Sequence, residues 1–306
     1  MKIHLTDLTI FDDHALVSII MPTRNASSTL RSCLESIWSQ SYQNIEIIVV
    51  DNYSADETLN ISEKYRAKLI AAGPPPPHNS FFTAPVQRRV GANHAKGAFL
   101  FFVDADMILS RGLLEECVRE CEQGADAIAI SEISFGTGFW AKCKEIERAC
   151  YMNDSKIEAP RFMRRSAYEL AGGWNERAGA FDDWDLAARL RAQDLRIGYS
   201  MNNYIFHNEG HLTLRRSFSK KYRMGKTVDL AKYASGQKFS VISYQLTPLR
   251  MLLLLRKVTL FTKKPVHILG LLLMKLIEAA GLSIGVLTTR CSVKIATVPN
   301  KKCRLE

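Results

Sequence analysis

At 306 residues, with 47% hydrophobic and 24% charged side chains, the chain has room for one large domain with an appendage, or for two, and a composition ordinary for a globular protein with a full core. Its net charge of +10 is unevenly placed: residues 212–306 hold 19 basic and three acidic residues, +16 by count, against −6 for residues 1–211. A basic tail favours an anionic partner; this one is interleaved with leucine runs and carries no nucleic-acid motif, so an anionic membrane surface is expected and nucleic acid is not.

The seven cysteines are odd in number and contain no C-x-x-C pair. That argues against a disulfide framework and a structural zinc site, and for a reduced, cytoplasmic setting. The N-terminus carries acids and lacks a basic-then-apolar leader, so no secretion peptide is expected.

Along the chain, "LVSIIMPT" (16–23) reads as a buried strand stopped by Pro22. Ser27 or Ser28 suits the cap of the next helix, where Leu30, Cys33, Leu34, Ile37 and Trp38 recur at helical spacing. "IEIIVVDN" (45–52) is a second buried strand ending near Asp51, and Ser54 opens another helix. Strand and helix alternating at this pace imply parallel strands with crossover helices. The proline-rich stretch 73–85 reads as a loop, 88–97 as a helix and 99–103 as a strand. Ligands of open α/β sheets bind beyond the carboxyl ends of the strands. Pro22, Thr23, Arg24, Asp51, Asp104 and Asp106 all fall at such ends, so the acids of "FLFFVDADMILS" belong to a rim and not to the core.

Farther on, 138–151 is a helix candidate, and "YELAGGWNE" is a helix running into a Gly-Gly turn. "DDWDLAARL" starts with three acids at a helix N-terminus, where negative charge is favoured. "YIFHNEGH" holds a short strand ending near His207. Residues 247–264 form a basic amphipathic helix, capped by Thr247 and stopped by Pro265, with Arg250, Lys257 and Lys264 on one face. The 22 residues 266–287 are long enough to span a bilayer, but Lys275 and Glu278 lie in the middle, so an interfacial or re-entrant helix pair is expected over a single span.

Taken in order, "VSIIMPTRN", "IEIIVVDNYSADET", "QRRVGANHAKGAFLFFVDAD", "RRSAYELAGGWNE", "DDWDLAARL" and "FHNEGH" resemble the family 2 inverting glycosyltransferases of the GT-A fold, over about residues 16–215. The resemblance implies an α/β, Rossmann-like GT-A catalytic domain over 1–215, its mostly parallel central sheet flanked by helices. Residues 216–306 follow as a basic, leucine-rich helical membrane-associating region. It implies a nucleotide site at Pro22, Thr23, Arg24, Asn25, Asp51, Arg88 and Asp104. Relatives often have Arg-Asn where this chain has Arg88-Arg89. It implies Mn²⁺ or Mg²⁺ held by Asp106, Asp104 and His207, because a departing diphosphate needs its growing charge neutralised.

Inversion also needs a base for the acceptor hydroxyl. The resemblance puts Asp183 in that role and Asp182 where relatives carry Glu, while Asp185 serves the helix start. Trp184 either lines the sugar or acceptor site or packs. Trp140, with Lys144 and Arg148 on its helical face, and a cluster of Arg161, Arg164 and Arg165 are candidates for the acceptor or a phosphate. The processive Gln-x-x-Arg-Trp motif is missing, which favours single additions. The implied activity is metal-dependent transfer from a nucleotide sugar to a lipid-linked or envelope glycan, at the cytoplasmic face of the membrane. Two alternatives stand beside it. A sugar nucleotidyltransferase wants a Gly-rich loop with Arg and Lys after the first strand, and "MPTRNASS" has none. An inactive sugar-nucleotide-binding membrane module is left open by the shorter Asp182.

Overall fold

The computed structural model describes residues 15–72, 83–152, 158–235 and 264–296. The first half alternates as expected: β1 (Val17–Thr23), α1 (Ser27–Trp38), β2 (Ile45–Asp51), α2 (Thr58–Lys64), β3 (Lys68–Ala71), α3 (Ala84–His94) and β4 (Phe99–Phe102). β5 (Met107–Leu109), α4 (Leu113–Glu122), β6 (Ala127–Thr137), α5 (Phe139–Ala149), β7 (Pro160–Arg164) and α6 (Arg165–Leu170) follow. A short 3₁₀ turn (Gly179–Phe181) leads into α7 (Asp182–Ala192), β8 (Ile197–His211), α8 (Leu214–Ser235) and α9 (Pro265–Ala296). The proposed helix over 247–264 lies outside the described residues.

One eight-stranded sheet runs in the order β3-β2-β1-β4-β7-β6-β8-β5. β1 pairs in parallel with β2 and β4, β2 with β3, and β6 with β8. β4–β7, β6–β7 and β5–β8 are antiparallel. The central strands β1, β2 and β4 are apolar on both faces because both faces are covered. On one side Ile19, Met21, Phe101 and Val103 meet Leu30 and Leu34 of α1 and Leu113 and Cys117 of α4. On the other, Ile20, Leu100 and Phe102 meet Tyr168, Trp174 and Leu186. Gly91 lets α3 lie close to the sheet: a Cβ there would stand 2.4 Å from Ile20 Cγ2.

Local chemistry departs from the sequence reading in instructive places. Neither Ser27 nor Ser28 caps α1, which has no side-chain cap of its own. Asp56, from the loop after β2, accepts instead from the Ser27 amide at 3.0 Å, and Thr58 Oγ1 accepts from Ala26 N at 2.8 Å. Ser54 does not open α2, which begins at Thr58. Pro85 lies in the first turn of α3, a position that needs no N–H, so the loop ends earlier than expected and the helix starts at Ala84. The strand around His207 is long rather than short, and β3, β5, β6 and β7 were not anticipated. β6 and β7 mix small and polar residues with apolar ones, so no clean two-residue period marks them.

Candidate active site

The carboxyl ends of β1 and β2 form one end of the site. Pro22 sits past the last β1–β4 pair, Ile20 with Phe102, where a missing N–H removes no ladder bond. Thr23 Oγ1 donates to Asp51 Oδ1 at 2.9 Å, and Ser54 N donates to Asp51 Oδ2 at 2.8 Å. Asn25 and Tyr53 both adopt left-handed backbone, with φ of 49° and 54°. The two turns are stitched together: Asn25 N donates to Ser54 Oγ and Ala55 N to Asn25 Oδ1, each at 2.8 Å. Arg24 is exposed beside them. Gln87, unmarked by the sequence reading, is buried beneath and donates to Thr23 O and Val50 O at 2.9 and 2.7 Å, clipping the two strand ends together.

β4 and β5 bring in the acidic pair. The Arg88 guanidinium is buried, donates to Asp104 Oδ1 at 2.7 Å and to Asp182 Oδ2 at 2.6 Å, and lies 3.5 Å from Asp183 Oδ1. It also stands 4.8 Å over the Trp174 ring. Arg88 thus ties the acids of β4 to those of α7. Arg161, on β7, donates to Glu132 Oε1 at 2.9 Å and meets Asp104 Oδ2 at 3.4 Å. Both Asp104 oxygens therefore face arginines. Burial alone would raise its pKa; Arg88 and Arg161 outweigh that and hold it down at about 2. Asp182 goes the other way, pushed up by burial and then by the neighbouring Asp183 charge, with Arg88 opposing.

Asp106 reaches His207 through strand register. β5 pairs with β8 so that Met107 faces His207, which leaves His207 Nε2 3.4 Å from Asp106 Oδ2. His207 Nδ1 is 3.0 Å from Glu132 Oε2, and Arg148 of α5 also reaches Glu132, at 2.7 Å. Burial would lower the His207 pKa; hydrogen bonds to Asp106 and Glu132 raise it to about 9. Burial would raise Glu132; Arg148 and Arg161 hold it well below the usual carboxylate range.

Among the described residues no group of three His, Cys, Asp or Glu side chains has metal-binding spacing. The expected trio of Asp104, Asp106 and His207 is reduced to two, because Asp104 is engaged by arginines. Asp106 Oδ1, however, is buried with no hydrogen-bond partner, while its other oxygen, Oδ2, stands 3.4 Å from His207 Nε2. An orphaned carboxylate oxygen beside an imidazole suits Mn²⁺ or Mg²⁺, which complete their shells with substrate phosphates and water.

The remaining candidates fall out as follows. Asp183 sits at the rim with 29% side-chain exposure and its Oδ1 makes no hydrogen bond, while Asp182 is buried beside it. Asp185 bonds Arg189 one turn on, at 2.7 Å, instead of serving the helix start alone. The expected cluster of Arg161, Arg164 and Arg165 does not form: Arg164 bonds the carbonyls of Ala125 and Cys121, and Arg165 that of Gly97. Only Arg161 faces the acids. Trp184 packs against Phe181 with Met224 of α8, and Trp140 packs edge-on to Phe139 in the cluster that holds α9. Glu132 was missed; it lies in "AISEIS", an acid with no motif, and only the β6–β8 pairing carries it to His207.

Comparison with known proteins identifies the family and the fold. The family described as Glycosyl transferase family 2 matches residues 18–179. "Putative glycosyltransferase EpsH" of Bacillus subtilis (strain 168) is 31% identical over 117 residues, 37% of this chain and 32% of that protein. The match thus spans about a third of that relative. Among solved structures, the chain is similar to the mannosyltransferase PcManGT from Pyrobaculum calidifontis in complex with GDP-Man and Mn²⁺. The TM-score is 0.54 at 15% identity, over 94% of this chain and 88% of that one. It is also similar to S. aureus TarS 1-349 in complex with UDP-GlcNAc, with a TM-score of 0.52 at 14% identity over 92% of each chain. These likenesses identify the sheet and its helices as a GT-A-like fold.

Proposed function

The chain belongs to glycosyl transferase family 2, and from that premise we propose that it transfers single sugars, with inversion, from a nucleotide-sugar donor to a hydroxyl of a lipid-linked or cell-envelope glycan at the cytoplasmic membrane face. The observation that carries this reading is that Asp106 and Asp183 each have an oxygen without a hydrogen bond, Asp106 beside His207 and Asp183 beside the buried Arg88.

In this reading the nucleoside lies over the stitched ends of β1 and β2, with Asp51, Asn25 and Arg24 as its polar contacts. The diphosphate lies toward Asp106. A divalent cation at Asp106 and His207 would supply Lewis-acid neutralisation of the departing diphosphate. Asp183 accepts the acceptor hydroxyl's proton as that oxygen attacks the anomeric carbon from the face opposite the leaving group. Arg88 and Asp182 hold Asp183 in place. The departure of Asp182 from the family's Glu does not break this arrangement, because the shorter acid still meets Arg88 at 2.6 Å; that supports an active enzyme over an inactive module. Arg88 is a positioning residue here instead of the direct diphosphate contact expected from its place in the sequence. The neighbours' GDP-Man, UDP-GlcNAc and Mn²⁺ complexes support the donor class and the cation.

The test is a thermal-shift screen with UDP-, GDP- and dTDP-sugars, each with and without Mn²⁺. One donor is expected to stabilise the protein only with the cation present, and Asp106→Ala to lose that cation dependence. Stabilisation that ignores Mn²⁺ in both proteins overturns the site assignment.

A further inference from the structure

We infer that the outer face of α9 is a lipid-docking surface, on which the helix lies along an anionic membrane instead of crossing it. The polarity of α9 is reversed from that of a water-facing helix. The charged residues in its middle, Lys275 and Glu278, point inward: Lys275 Nζ bonds Glu147 Oε1 of α5 and Glu278 Oε2, both at 2.5 Å, and Lys144 of α5 bonds Glu147 at 2.9 Å. Its outer face is aliphatic. Val266, Leu269, Leu273, Leu276, Ile284 and Leu287 are 44–67% exposed and recur at helical spacing. The stripe runs about 32 Å at 1.5 Å per residue. Apolar exposure this continuous marks an interaction surface.

The neighbouring helix points to lipid as the occupant. α8 packs against α9 through glycines: a Cβ on Gly225 would lie 2.2 Å from Leu282 O, and one on Gly285 2.2 Å from Tyr222 O. Small residues that bring helix backbones together are the packing habit of helices in lipid. α8 turns Met224 toward Phe181 in the catalytic body, as α9 turns Leu271 and Met274 toward α5. On α8, the helix packed against α9, Arg215, Arg216, Lys220 and Arg223 are exposed. Cations beside an aliphatic stripe match anionic headgroups above an acyl boundary. A spanning helix would instead carry α5 and the Lys275–Glu147–Glu278 ions into hydrocarbon, where charge is costly. The inference goes beyond the proposed reaction and does not depend on it.

The test uses the full chain and flotation with vesicles of equal parts phosphatidylcholine and phosphatidylglycerol. The wild type is expected to float, to be released by alkaline carbonate, and to bind pure phosphatidylcholine less well. Leu273→Glu with Leu276→Glu is expected to weaken binding by about 100-fold with an unchanged melting temperature. Arg216→Glu with Arg223→Glu is expected to weaken the preference for anionic lipid. Undiminished binding by the leucine variant overturns the inference, as does resistance of the wild type to carbonate. So does a leucine variant that melts much lower, or that turns a dimer into a monomer in gel filtration, since the stripe is then covered by the chain itself or by a second copy. The donor screen is run without vesicles, so either result stands apart from the other.

Discussion

Asp183 and Asp182 differ by one position and diverge in environment, which separates their roles. Asp182 is buried against Arg88 and pushed up in pKa, whereas the Asp183 side chain is 29% exposed at the rim. Asp183→Asn is expected to retain donor binding by calorimetry and to lose about 10²–10⁴ in turnover; near-native turnover removes it from the base role. Glu132 acts one contact farther back. It bonds His207 Nδ1, which leaves Nε2 toward Asp106, and it separates Arg148 from Arg161. Glu132→Gln keeps the volume and is expected to weaken Mn²⁺ binding by about 10–100-fold, the usual effect of losing a carboxylate behind a ligating histidine. Equal Mn²⁺ affinity in the two proteins contradicts that expectation. Asp104, Asp106, Asp183 and His207 stand out in the sequence because each sits in a short motif. Glu132 and Gln87 were not, because their partners lie 75 and 64 residues away and only strand and helix placement joins them.

Elements are held by close approach as much as by apolar pattern. α3 rests on the sheet at Gly91, where even one methyl group meets Ile20. Gly91→Ala is expected to destabilise the protein by about 1–3 kcal/mol through overpacking, read from denaturant melts. A stability within error of wild type means that α3 slides at no cost. Apart from α4 and α8, the helices and the ends of β1, β2 and β4 were readable from hydrophobic period and breakers. Caps were not: α1 takes its N-terminal acceptor from Asp56, on a different connection, so no local pattern announced it. Residues 266–287 were read as part of an interfacial or re-entrant helix pair because their two charges would be costly inside a bilayer; they belong to the single helix α9. The structure pairs Lys275 with Glu278 on its own helix and with Glu147 of α5, more than a hundred residues away, where Lys144 also meets Glu147.

At the scale of the molecule, the far edge of the sheet depends on one carboxylate. Glu116 of α4 is buried and accepts from Ser200 Oγ, Met201 N and Asn203 Nδ2 at 3.0, 2.8 and 2.7 Å, fixing the bend within β8 that precedes His207. Burial would raise its pKa, but these donors lower it. A depressed folded pKa stabilises above the unfolded value and is lost as pH falls through the folded one. Glu116→Gln is therefore expected to cost about 1–3 kcal/mol near neutral pH, with the gap to wild type closing below about pH 4. A gap that stays constant on acidification means that the charge contributes nothing.

The sequence by itself determined the alternating strand–helix frame, the strand ends that carry polar residues, the family, and the break between an acidic body and a basic, leucine-rich tail. These follow from short-range spacing and composition, which a chain carries locally. Only the tertiary structure decided that Arg88 anchors two carboxylates, that Asp104 faces arginines while Asp106 keeps a free oxygen, that Glu132 backs His207, and that Lys275 and Glu278 turn inward. Each of those is a pairing between charges distant in sequence. Their register is set by which strands become neighbours, and no local pattern of residues encodes that.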